Sequence, residues 1–80
     1  MNLIHFKGGE TMTDVKLLTN AINRSGLKKE AIASKLGITR AALQKKAVGE
    51  NEFKASEVVK LTEILGLTTE ERDLIFLNAV

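Results

Sequence analysis

Eighty residues suffice for one domain and leave no length for a binding module joined to a separate catalytic domain. The chain has no cysteine, so disulfides and thiolate metal sites are excluded, and no apolar run approaches the roughly 20 residues that a membrane span requires. Net charge is only +2, but it is unevenly placed: residues 28–46 carry Lys28, Lys29, Lys35, Arg40, Lys45 and Lys46 against the single Glu30, net +5, whereas residues 47–80 are net −4.

Residues 1–11 show no helical period and read as a disordered leader. Lys7, Gly8, Gly9 and Glu10 stand just before Met12, and codons for Lys-Gly-Gly can spell a purine-rich ribosome-binding site, so the natural start is expected at Met12 and the domain over residues 12–80. The first residues lack the basic start and long apolar stretch of an export signal, which predicts a cytoplasmic protein. From Thr13, read as an N-cap, Val15, Leu18 and Ile22 recur at helical spacing, with Leu17 and Ala21 widening the stripe and Gly26 ending the first helix. The second helix is expected over about 28–36, burying Ile32, Ala33 and Leu36.

Only Gly37, Ile38 and Thr39 separate it from the next periodic segment, which covers about 39–48, is capped by Thr39 and buries Leu43 and Ala47. So short a link containing glycine predicts two helices that cross steeply rather than lie antiparallel. After a loop at 50–54 with Phe53 as a core plug, a fourth helix is expected over 55–65, with Val58, Leu61, Ile64 and Leu65 inward and Gly66 as its stop. Thr68 and Glu71 have capping-box spacing, so a fifth helix should run from about 69 to the last residues. The expected fold is all-α, with five short helices.

The order Ile32, Ala33, Leu36, Gly37, Ile38, Thr39, Arg40, Leu43, then Gly49, Phe53 and an amphipathic fourth helix, resembles the lambda-repressor-like family of helix-turn-helix proteins, which includes phage Cro and repressor proteins. The resemblance covers residues 12–80. It implies a compact five-helix domain whose helices 2 and 3 form the helix-turn-helix. Thr39, Arg40, Ala41 and Gln44 fall on the family's base-contacting positions. The family commonly dimerises through its C-terminal helix, which points to Leu74, Phe76, Leu77 and Val80 as the interface and to a near-palindromic operator. The chain departs from the family at Lys28, where Ser or Thr is usual, at Lys46, where many members are apolar, and at the small Ala47 and Val48.

The chemistry of the residues points the same way. Ala33 is small where two crossing backbones approach, and Ile38 and Leu43 tie the third helix to the core. Arg40, Ala41, Gln44, Lys45 and Val48 are thereby left to face a major groove about 12 Å wide. Arg can donate two hydrogen bonds to guanine and Gln can exchange two with adenine. Lys28 and Lys29 stand at a helix N-terminus, where the macrodipole disfavours cations, an arrangement that a docked DNA phosphate relieves. Lys28, Lys29, Lys45 and Lys46 are therefore the expected phosphate contacts.

These readings predict a sequence-specific regulator of phage or prophage type that binds double-stranded DNA, nucleoid-associated when bound, and represses by occupying an operator. The alternative is a protein-binding adaptor or antirepressor that keeps the fold and uses helix 5. Catalysis is not expected, because the one histidine, His5, lies in the leader and there is no cysteine, tyrosine or phosphate-cradling glycine loop. No cofactor, metal, membrane or small-molecule substrate is expected.

Overall fold

Residues 13–76, the part of the chain that the computed structural model describes, fold into five helices joined by short connections. They are α1 (Val15–Ser25), α2 (Lys29–Leu36), α3 (Arg40–Ala47), α4 (Ala55–Leu65) and α5 (Thr69–Phe76), and no strand occurs among the described residues. The architecture is all-helical and compact, and no described helix is long and apolar enough to cross a membrane. The expected leader and the start at Met12 lie outside the described residues.

Each helix begins and ends for a local reason. Asp14, not Thr13, caps α1: its carboxylate accepts the Leu17 N–H at 3.0 Å, satisfying one of the donors that a helix start leaves unpaired. Thr39 caps α3 through its hydroxyl, which accepts the Ala42 N–H at 3.0 Å. Thr68 and Glu71 form the expected reciprocal box at α5, with the Glu71 N–H donating to Thr68 Oγ1 and the Thr68 N–H to Glu71 Oε1. Lys28 and Lys54 stand at the N-cap positions of α2 and α4, and an ammonium has no lone pair to offer. At α4 the carboxylate of Glu57 compensates by accepting the Lys54 N–H at 2.9 Å. At α2 no side chain caps the helix.

The α2–α3 turn is closed by backbone alone. Gly37 takes φ of +79°, the left-handed conformation that ends α2, and the Ile38 N–H reaches back to the Ala33 carbonyl at 3.0 Å. This satisfies an orphan carbonyl of α2 and redirects the chain within three residues. Ile38, half-buried, packs against the core as the chain enters α3.

One large side chain from every helix meets at the centre. Leu18 of α1, Ile32 of α2, Leu43 of α3, Leu61 of α4 and Phe76 of α5 are all completely buried. Each such side chain stabilises the fold by about 1.5–3 kcal/mol through loss of apolar surface to water. Phe53, from the loop before α4, packs edge-to-face on Phe76 with ring centroids 5.5 Å apart. The apolar positions of α2 and α3 are therefore consumed inward, which fixes the opposite side of α3 to the outside.

Two details depart from the sequence expectations. In α1 the inward stripe is Leu18, Ala21 and Ile22, while Val15 and Leu17 remain exposed. In α5, Phe76 is a completely buried core residue packed edge-to-face on Phe53, with no exposed surface to offer a second subunit. Of the two named interface residues that are described, Leu74 is exposed and Phe76 is not; Leu77 and Val80 lie outside the described residues. The two ends of the described chain meet where the Asp14 N–H donates to the Ile75 carbonyl at 2.7 Å.

Candidate nucleic-acid interface

The side of α3 turned away from the core carries Arg40, Ala41, Gln44 and Lys45, with the C-cap Val48 just beyond, all exposed. Residues four apart are neighbours on a helix, so Arg40, Gln44 and Val48 form one row and Ala41 and Lys45 an adjacent one. Thr39 sits at the head of both rows. Its oxygen accepts the capping bond while its hydrogen remains available to an outside acceptor.

The first turn of α2 is brought against this face. Lys29 Nζ donates to Gln44 Oε1 at 2.9 Å, across fifteen residues of sequence. Glu30 Oε2 lies 3.7 Å from Arg40 Nε, and with the Arg40 side chain 61% exposed this ion pair is well solvated. Exposed pairs of this kind contribute little, about 0–1 kcal/mol, and yield easily to a stronger partner. Lys28 is exposed at the same helix end. A shallow hollow beside the Lys29–Gln44 contact is bordered by Thr19 and Asn23 of α1 and Val48 of α3.

The residues expected to contact bases or phosphate thus divide. Thr39, Arg40, Ala41, Gln44 and Lys45 share one exposed surface on α3, and Lys29 is joined to it directly. Lys46 does not stand there. Its side chain is only 13% exposed, and its ammonium donates to both carboxylate oxygens of Glu57, at 2.7 and 2.9 Å. With its charge paired inside the fold, Lys46 ties the end of α3 to the start of α4 and is not a phosphate contact.

Glu57 is the residue that sequence reasoning missed. Burial alone pushes its carboxyl up, but the hydrogen bonds from Lys46 and from the Lys54 backbone, with the charges of both lysines, outweigh burial and hold it below the ordinary 4.5. The signal was present in the spacing. Leu43, Lys46 and Ala47 occupy one helical face, so a lysine at the middle position requires an anion, and Glu57 stands three residues after the N-cap Lys54 of the helix opposite.

The arrangement offers a planar guanidinium, a side-chain amide, a methyl group and ammonium groups on one convex helix surface. Such a surface suits the grooved edge of a duplex better than an enclosed ligand. No family model, curated protein or solved structure matches the chain.

Proposed function

We propose that this protein binds double-stranded DNA as a helix-turn-helix regulator, with α2 and α3 as the motif and α3 as the helix that enters the major groove. The observation that carries the reading is the joined face itself: Arg40, Ala41, Gln44 and Lys45 are exposed on α3, and Lys29 is held against Gln44 from the head of α2. Arg40 and Gln44 supply base-edge hydrogen bonds, Ala41 fits beside a thymine methyl group, and Lys28, Lys29 and Lys45 contact phosphates. DNA displaces Glu30 from Arg40, an exchange that costs little because the pair is exposed.

We further propose that two copies associate through the exposed side of α5 around Leu74 and so act on a two-fold related operator as a repressor. Helix-turn-helix dimers set their reading helices about 34 Å apart, one turn of the duplex.

Titration of isotope-labelled protein with a mixed-sequence duplex at low salt tests the surface before any operator is known. Non-specific binding with Kd of roughly 10⁻⁴ to 10⁻⁶ M suffices for the measurement. Backbone amide shifts are expected in residues 28–30 and 39–48, with little change in 69–76. Absence of binding, or shifts confined to α5, contradicts the reading and favours a protein-binding adaptor.

A further inference from the structure

The Lys29–Gln44 contact has a chemical direction. An ammonium only donates, so at 2.9 Å it fixes which end of the Gln44 amide is the carbonyl: Oε1 is held towards Lys29, and the NH₂ group is turned to the other side. Reading adenine through two bonds requires the opposite balance, a carbonyl presented to the adenine amino group together with an NH₂ presented to N7. An ammonium resting on the carbonyl occupies one of its acceptor positions and repels an approaching amino group. Guanine shows only acceptors, N7 and O6, on the same edge.

We infer that Lys29 positions Gln44 as a dedicated hydrogen-bond donor, and that the base Gln44 reads is guanine rather than the adenine its side-chain type suggests. This rests on the DNA-binding reading above. Lys29 has three donors and spends one on Gln44, so it can bridge Gln44 to a phosphate at the same time. Glu30 has no such effect on its own partner, because its carboxylate lies against Arg40 Nε and leaves the terminal nitrogens of the guanidinium for a base.

The test is selection of bound duplexes by the wild-type protein and by Q44A, K29M and K29R, joined to spectra of the free proteins. Q44A identifies the dependent base pair by losing preference there. At that position the wild type should favour guanine over adenine by roughly tenfold, and 7-deazaguanine should weaken binding by a similar factor. K29M frees the amide to turn over, so discrimination between guanine and adenine should fall to about twofold, while K29R, which keeps the donor, should retain it. If Lys29 served only to bind phosphate, K29M would lower affinity for all sequences alike and leave the preference at this position untouched.

Adenine preferred at the Gln44-dependent position, or guanine preference unchanged in K29M, overturns the inference. In the free protein, K29M should shift the Gln44 side-chain amide resonances, and K29R should shift them less. If no duplex motif is enriched, the DNA reading and the base assignment fail together. If a motif is enriched while the Gln44 resonances ignore K29M, only the positioning role of Lys29 fails.

Discussion

Removing the Glu57 carboxylate leaves the Lys46 ammonium enclosed with no counter-charge. Loss of one partner of a buried pair costs about 3–5 kcal/mol, whereas replacing both with apolar groups of similar volume is close to neutral or stabilising. Glu57→Ala should therefore lower unfolding free energy by about 3–5 kcal/mol in denaturant titrations, and the double variant Lys46→Met/Glu57→Leu should recover the part due to the unpaired charge but not the roughly 1 kcal/mol of the α4 cap that Glu57 gives the Lys54 N–H. Equal destabilisation in single and double variants would show that the pair itself, rather than the unpaired charge, matters. Acid sensitivity follows from the same residue. Glu57 titrates below its ordinary 4.5 in the folded state, so its contribution is complete above that pH and is lost as pH falls through the folded value. Glu71 shifts in the same direction, held down by the Thr68 N–H and then by Arg24, which donates to it at 2.9 Å. Thermal midpoints should accordingly fall below about pH 4.5, and the fall should be shallower in Glu57→Gln. The sequence displayed the cationic cluster plainly, but could not distinguish Lys45, which faces water, from Lys46, which turns inward. Adjacent residues on a helix differ by about 100°, and the choice depended on which helix packed opposite.

At the scale of the element, the connection between α2 and α3 determines how the proposed binding face is presented. Gly37 has φ of +79°, and a Cβ there would meet nothing within 4 Å, so Gly37→Ala isolates the backbone cost from any clash. That cost is about 1–2 kcal/mol of stability by thermal or chemical unfolding. Thr39→Ala removes the cap of α3 and should cost about 1 kcal/mol. If Thr39 also touches DNA, the same variant should weaken duplex binding beyond what its stability explains. Helix number, order and most boundaries were readable from sequence because the glycine stops of α1, α2 and α4 and the Thr or Asp starts of α1, α3 and α5 are local signals. Thr13 was misread as the cap of α1, since Asp14 beside it serves as well and only the geometry of the first turn decides between them. Glu30 and Lys29 carried no local mark of partnership with Arg40 and Gln44, because pairings across ten and fifteen residues depend on how the two helices cross.

For the whole molecule, core and surface divide the apolar residues of α5 differently from a reading by composition. Leu74 is 56% exposed beside Leu17 and the Arg24–Glu71 ion pair, whereas Phe76 is completely buried. Leu74→Asp should change stability by no more than about 0.5 kcal/mol, and on the proposed dimer it should abolish the self-association expected of the wild type in sedimentation equilibrium. Phe76→Ala should instead cost about 3–5 kcal/mol, a large share of the 5–15 kcal/mol typical of a domain. The fold class was legible because each helix contributes a periodic apolar stripe that must be covered. The division of α5 was not, since Leu74, Ile75 and Phe76 are equally apolar and only packing against α1 and Phe53 assigns their sides. The basic face was legible as a cluster in sequence and acquires its shape only when α2 and α3 are placed together. If this face contacts DNA phosphates as proposed, binding should be steeply salt-dependent, and Lys45→Ala should reduce the salt slope by about one. Selection of bound duplexes from a random pool, performed with the wild-type protein and with the Arg40→Ala/Gln44→Ala variant, bears most directly on whether α3 reads sequence. A shared motif, arranged as a spaced inverted repeat and lost in the variant, is the expected result. The same motif enriched by both proteins, or none by the wild type at moderate salt, would contradict it.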